Sequence, residues 1–149
     1  MIKRFAMIAA LALLVTPVAL AGKPTNPGTS NSQGSKALTA KLAGANKMKG
    51  NLVVRLNRST TTVCWSLSNL KLNGKKAFAA HIHVKAGGAI FVPLGGSPLA
   101  RRGCTKNADW ADEIAALIAK PADYYVNVHE EAGLAVLITG NLKKGAPVA

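Results

Sequence analysis

Acidic residues, aromatic residues, cysteines and histidines are all scarce in this chain of 149 residues. Only six Asp and Glu stand against 19 Lys and Arg, so the formal net charge is +13. Two cysteines are too few for a small fold built on many disulfides. No Gly-X-Y or heptad repeat is present, which excludes collagen and coiled coils. Because hydrophobic residues still make up 49% of the chain, a disordered protein is also excluded, and the length fits one domain.

Motifs typical of several function classes are missing as well. No Ser-His-Asp arrangement, paired-carboxylate signature or phosphate-binding loop supports a hydrolase, and we favour a non-enzymatic protein over an enzyme. No arginine-rich stripe or interleaved aromatic platform is present, so we expect no nucleic-acid partner. The basic residues are scattered, and their simplest interpretation is a solubilising surface. The alternative partner is an anionic one, such as the cell envelope or an acidic polysaccharide.

The segment 1–21 is typical of a secretory signal peptide. Lys3 and Arg4 precede an unbroken apolar run over residues 6–15, and Ala-Leu-Ala at 19–21 fits the cleavage pattern. The run is shorter than the roughly 20 residues of a membrane-spanning helix, and we expect no transmembrane segment after cleavage. The prediction is an exported protein, either periplasmic or secreted.

The composition predicts three further regions. Residues 22–35 are almost entirely Gly, Pro, Ser, Thr, Asn and Gln, which predicts a flexible polar linker. Residues 36–142 carry the regular apolar pattern of a folded domain. Residues 143–149 form a predicted C-terminal tail.

Within residues 36–142 the apolar pattern has a period of two, which is typical of strands with one buried face. Leu52, Val54 and Leu56 are one such set. Seven or eight short strands with tight turns predict an all-β domain, a β-sandwich or a Greek-key barrel. One short helix interrupts the strands: Asn107 or Asp109 can cap it, and a proline at position 121 ends it.

The two cysteines, Cys64 and Cys104, lie far apart in the sequence. In an exported protein an even pair predicts a disulfide, because the compartment is oxidising. A redox pair would usually have the Cys-x-x-Cys spacing. We therefore expect a structural bridge that ties the loop before the helix to a central strand.

The histidines fall in two predicted strands. Alternation places His81 and His83 on one face of the first strand, and Tyr125, Asn127 and His129 on one face of the second. If these strands are neighbours, three imidazoles can converge on a copper or zinc ion. The alternative is a buried hydrogen-bond network in which Tyr125 and Asn127 support the histidines.

Three segments together resemble the CHRD domain, a module named after chordin and present in many short exported bacterial proteins. They are Ala-Ala-His-Ile-His at 79–83, Tyr-Tyr-Val-Asn-Val-His at 124–129 and Ile-Thr-Gly-Asn-Leu at 138–142. The resemblance covers about residues 36–142. It departs at Thr139, where the family commonly has Arg, and after His129, where the family has a longer Gly-rich loop.

The resemblance implies an immunoglobulin-like β-barrel with a faint likeness to copper-zinc superoxide dismutases, and it assigns no clear biochemical function. Those enzymes hold copper with a His-x-His strand and a histidine on a later strand, which gives His81, His83 and His129 a precedent. No histidine lies between His83 and His129, so the bridging ligand and zinc site of the dismutases have no candidates. Dismutase activity is therefore not expected.

Three functional hypotheses follow. The first is an exported non-enzymatic CHRD-like protein, a binding or structural module of the cell envelope or extracellular space, in which the three histidines form a structural network. The second is a periplasmic or extracellular copper or zinc protein with His81, His83 and His129 as ligands. The third is a redox enzyme built on that same site.

Overall fold

The structure is a computed structural model that describes residues 35–95, 98–131 and 135–145. The predicted signal peptide, 1–21, and all but the last residue of the predicted linker, 22–35, lie outside these ranges. Within the described residues, no helix has the length and apolar character needed to cross a membrane.

The predicted all-β class with one short helix is confirmed. Strands account for most of the described chain: β1 (Ser35–Ala43), β2 (Lys49–Asn57), β3 (Thr62–Lys71), β4 (Ala77–Val84), β5 (Ile90–Pro93), β6 (Arg102–Lys106), β7 (Tyr124–Glu130), β8 (Val136–Asn141) and β9 (Lys143–Lys144). The helix α1 (Ala111–Ala119) separates β6 from β7, and single 3-10 turns occur at Ala45–Lys47, Ala108–Trp110 and Pro121–Asp123.

The strands form one antiparallel sheet that curls into a nearly closed barrel. Its order is β5-β4-β7-β8-β1-β2-β3-β6, and β9 pairs with β1. The strands β5 and β6 are therefore the two ends of the path. The hydroxyl of Thr105 on β6 lies 3.4 Å from the carbonyl oxygen of Pro93 on β5, so the two ends meet across a seam.

The barrel interior follows from the period-two pattern. The alternate residues Leu52, Val54 and Leu56 of β2 are buried, while Arg55 between them is exposed. The same alternation runs through β1, β3 and β7, and the inward side chains form one hydrophobic core. Each large side chain buried in this way contributes roughly 1.5–3 kcal/mol relative to an exposed one. The opposite face of each strand points away from this core.

The helix covers part of this core. The Oδ1 atom of Asn107 accepts a hydrogen bond from the backbone N–H of Asp109 at 3.0 Å, which caps the 3-10 turn that leads into α1. Ile114 and Leu117 are fully buried on the inner face of α1. The helix ends at Ala119, and Pro121 follows its C-cap residue Lys120, as predicted.

The disulfide between Cys64 and Cys104 is confirmed, but the predicted position of Cys104 is wrong. Cys104 lies in β6, not in a loop, and it is the direct partner of Cys64 across the β3–β6 pair. The strand lacks an apolar alternation because its inward position is Gly103. The ring of Trp65 occupies the space where a side chain of Gly103 would lie, so a bulky residue is excluded there.

The sheet also continues beyond the predicted end of the domain. Lys143 and Lys144 form β9 and pair with Thr39 and Leu38 of β1. Both lysines are exposed, so no buried apolar side chain signals this strand in the sequence.

Candidate metal centre

The two histidine strands, β4 and β7, are antiparallel neighbours near one end of the sheet path. His81 is the direct partner of Asn127, and His83 is the direct partner of Tyr125. His129 is the direct partner of Ala79, two residues before His81. Residues that face each other across such a pair share one side of the sheet. The structure therefore brings His81, His83 and His129 together on the outer face of the barrel.

The three imidazole rings form a compact triangle. Ring centroids are 5.7 Å apart for His81 and His83, 5.2 Å for His81 and His129, and 6.3 Å for His83 and His129. One ring nitrogen from each histidine lies within 4.8 Å of the other two. This convergence is the only arrangement of three or more metal-ligating side chains within the described ranges.

The orientation of His83 is fixed by a backbone contact. Its Nδ1 lies 2.9 Å from the carbonyl oxygen of Gly88, in the turn between β4 and β5. A carbonyl oxygen can only accept, so Nδ1 of His83 carries the proton and Nε2 presents its lone pair. In metal-binding histidines, the ring nitrogen that does not bind the metal commonly donates a hydrogen bond of this kind.

Two of the ring nitrogens are buried and lack a hydrogen-bond partner among the described residues. They are Nδ1 of His81 and Nε2 of His83. Only 7% of His83 is exposed. A buried polar atom without a partner costs about 1–3 kcal/mol, so such atoms usually mark a missing water, ion or catalytic role.

The charge state of the cluster favours neutral imidazole. Burial lowers the pKa of His81 below its ordinary value of 6.5, and the neighbouring His129 and His83 lower it further. A cation is disfavoured inside a partly desolvated group of like charges. Since a metal ion binds the unprotonated nitrogen, the same environment that disfavours a proton keeps His81 ready to be a ligand.

Tyr125 and Asn127, the predicted supporting residues, lie on the same face. The ring of Tyr125 stacks on that of His83, with centroids 5.1 Å apart and an interplanar angle of 18°. In the part of the chain that the structure describes, no hydrogen bond joins the side chain of Tyr125 or Asn127 to His81 or His83. The stacking shields His83 from water without satisfying its Nε2 atom.

Two exposed apolar residues border the histidines, and the sequence analysis missed both. Ile90 on β5 is the direct partner of His83, and Val136 on β8 is the direct partner of His129. They are 58% and 49% exposed. Nothing in the sequence alone marks them, because their position beside the histidines depends on strand register.

Glu130 is not a member of the cluster, although it follows His129 directly. Its carboxylate lies 2.9 Å from the Nζ atom of Lys75, in an ion pair. The donor set that the described residues supply at this face is therefore made of imidazoles.

A family model described as the CHRD domain matches residues 18–142. The chain belongs to the CHRD domain family. No curated protein and no solved structure gave a match. The matched range of the CHRD domain includes all three histidines, both cysteines and every strand except β9.

Thr139 stands where CHRD domains commonly have an arginine, and it lies close to the histidine face. It is the direct partner of Asn127 across β7 and β8, and it is exposed. A short neutral side chain at this position leaves the surface next to Asn127 without the positive charge of an arginine.

Proposed function

We propose that this CHRD domain protein is a metal-binding module that holds a copper or zinc ion with His81, His83 and His129. The observation that carries the proposal is the convergence of three ring nitrogens within 4.8 Å of one another. A metal ion between them would complete the bonding of the buried nitrogens of His81 and His83, which have no other partner among the described residues.

The spacing of the nitrogens fits an ion after a small contraction. Zinc–imidazole bonds are about 2.0–2.1 Å long, so two nitrogens on one ion are at most about 4.2 Å apart. The nitrogens of His81, His83 and His129 lie within 4.8 Å, and rotation of the rings closes the difference. The backbone positions need not change, because the three residues already share one sheet face.

The chemistry of the donors narrows the choice of metal. Imidazole suits copper, zinc and nickel, whereas magnesium and calcium prefer oxygen ligands. Affinity for such sites rises along the first-row series to copper and falls again at zinc. We therefore expect Cu²⁺ to displace Zn²⁺ from the three histidines. Three protein donors leave a further position for an outside ligand.

The proposal also places the protein outside the cytoplasm. Its two cysteines form a disulfide, which persists in oxidising compartments and is rare in the cytosol. The predicted signal peptide, 1–21, is consistent with that location. The function we propose is binding, in the cell envelope or the extracellular space, rather than catalytic turnover. Cell fractionation and N-terminal sequencing of the recovered protein test the location.

Metal binding is tested by elemental analysis of the purified protein and by calorimetric titration with Cu²⁺ and Zn²⁺. We expect one ion per chain and nitrogen coupling in the electron paramagnetic resonance spectrum of the Cu²⁺ form. His129→Ala should abolish or strongly weaken binding. Asn127→Ala, a change on the same face, is the matched control and should bind normally. Absence of binding in the unaltered protein, or equal binding by His129→Ala, contradicts the proposal.

A further inference from the structure

A second candidate site, a cavity of about 400 Å³, shares no lining residue with the histidine cluster. It is lined by the end of β3, the β3–β4 turn, the start of β4 and the segment that precedes β6. Its apolar lining includes Leu67, Leu70, Leu72, Ala77 and Leu99. Cavities of roughly 300–1,000 Å³ that combine apolar walls with a few polar groups are typical of small-molecule sites. In this cavity, which is partly open to solvent, polar and apolar atoms share the lining about equally.

The apolar wall belongs to the core of the barrel. Leu67 is buried in the core, while Leu70, Leu72 and Leu99 pack against the core and remain only partly buried. An apolar ligand in the cavity would remove the rest of their surface from water, which is the main source of affinity at such sites.

The rim of the cavity is positively charged. Lys75, Lys76 and Arg101 line it, and none of the described lining residues is acidic. Lys75 is engaged with Glu130. Lys76 and Arg101 make no ion pair with any described residue, so their charges remain available to a ligand.

Arg101 is held at the rim by its backbone. Its carbonyl oxygen accepts a hydrogen bond from the N–H of Leu67 at 2.7 Å, and the neighbouring carbonyl of Ala100 accepts one from Nε1 of Trp65 at 3.0 Å. These bonds fix the chain of Arg101 against β3, next to the apolar wall. A guanidinium group presents paired donors that match the two oxygens of a carboxylate.

We propose that this cavity binds a medium-chain fatty acid, with the alkyl chain against the leucines and the carboxylate at Arg101 and Lys76. The combination of an apolar wall and an uncompensated cationic rim selects an amphiphile with one negative head group. Neutral alcohols lack the charge, and small anions lack the chain. None of the three histidines lines the cavity, so this proposal does not depend on metal binding.

The test is a calorimetric titration of the full chain with sodium dodecanoate below its micelle concentration. We expect saturable binding of one molecule per chain and weaker binding of dodecanol. Shortening the acid to decanoate should weaken binding by about fourfold per methylene removed from the cavity, which corresponds to about 0.8 kcal/mol each. Absence of saturable binding, or equal affinity for the acid and the alcohol, overturns the proposal.

Two charge reversals separate a specific site from general attraction to a basic protein. Arg101→Glu should weaken dodecanoate binding at least tenfold. Arg55→Glu makes the same change in net charge at an exposed position near the other end of the β2–β3 hairpin, and it should leave binding unchanged. Equal losses in both variants would show that the net charge alone attracts the anion, and would overturn the site.

Filling the cavity gives an independent check. Ala77→Leu places a larger apolar side chain in the lining and should reduce dodecanoate affinity, while circular dichroism confirms that the variant is folded. If a folded Ala77→Leu protein binds dodecanoate as the unaltered protein does, the ligand does not occupy this cavity. The protein could also bind anionic phospholipid vesicles more tightly than the free acid, with no effect of Arg101→Glu. That result would assign the positive charge of the protein to membrane attachment and overturn the proposal.

Discussion

The Nδ1 atom of His83 lies 2.9 Å from the carbonyl oxygen of Gly88. The turn that presents this carbonyl contains two glycines with positive φ, Gly87 at 83° and Gly88 at 68°. A residue with a Cβ adopts such a conformation only at a cost. The sequence Gly-Gly after the histidine strand therefore has a specific role: it lets the chain return sharply enough for a backbone oxygen to reach the ring of His83.

We expect Gly88→Ala to lower metal affinity by about 10- to 100-fold. Alanine disfavours the positive φ and so moves the carbonyl away from His83, and loss of a hydrogen bond to a ligand typically has that effect. Gly74→Ala is the matched control, because Gly74 also has a positive φ, 82°, but lies in the turn between β3 and β4, which does not contact His83. Calorimetric titration with Zn²⁺ measures both variants. Equal affinities in the two variants would argue that the Gly88 contact does not orient the ligand.

The stability of the metal-free protein should fall as the solution is acidified. The pKa of His81 is lower in the folded protein than the ordinary 6.5 of the unfolded chain. At pH values between these two pKa values the unfolded state binds more protons than the folded state, so the free energy of unfolding rises with pH. It therefore decreases progressively as the pH falls below about 6.5. His81→Gln should flatten this dependence. Urea unfolding at about pH 7.5 and about pH 5 tests it, and an unchanged pH dependence in His81→Gln would contradict the assignment.

Removing the disulfide should destabilise the fold substantially. Cys64 and Cys104 are 40 residues apart in sequence. In the chain-entropy model, a cross-link that closes a loop of that length lowers the entropy of the unfolded chain and so stabilises the fold by about 4 kcal/mol. The double variant Cys64→Ser with Cys104→Ser should unfold at a clearly lower urea concentration. Reductant should shift the unaltered protein in the same direction and leave the double variant unaffected. Equal midpoints for both proteins would contradict this role.

Gly103→Ala should destabilise the barrel by about 1–3 kcal/mol, since overpacking a filled interior has this cost. Trp65 fills the space that the added methyl group needs. Lys106→Ala, an exposed change in the same strand, is the control and should be nearly neutral. Thermal melts followed by near-ultraviolet circular dichroism report both stability and the environment of Trp65. A Gly103→Ala protein as stable as Lys106→Ala would show that the strand can move away from the ring.

The alternation of apolar and polar residues was sufficient to predict the strands whose inner face carries apolar side chains. Leu52, Val54 and Leu56 predict a strand and its buried side, and the same period places His81 and His83 together on the other side of their own strand. Such patterns are local, because the side-chain period of a strand is fixed by its backbone.

The features that the sequence did not predict depend on distant parts of the chain. The strand around Gly103 has no apolar pattern, because Trp65 supplies the side chain that fills its place. The contact from Gly88 is made by a backbone oxygen, which has no residue-specific signal. The exposure of Ile90 beside His83 follows from pairing between β4 and β5, including an irregularity in their register. Each of these is a tertiary property of the nearly closed barrel.

His129 lies 46 residues after His83 in the sequence, and β5, β6 and α1 come between them. The unfolded chain holds the pair and the third ring at unrelated positions, so only the native barrel can offer all three to one ion. If the protein binds metal as proposed, binding of the ion and folding of the chain would therefore be thermodynamically linked. A free ion at a hundred times its dissociation constant would add about 2.7 kcal/mol to the folded state, so the metal content of its surroundings would set how long this protein survives heat and proteases.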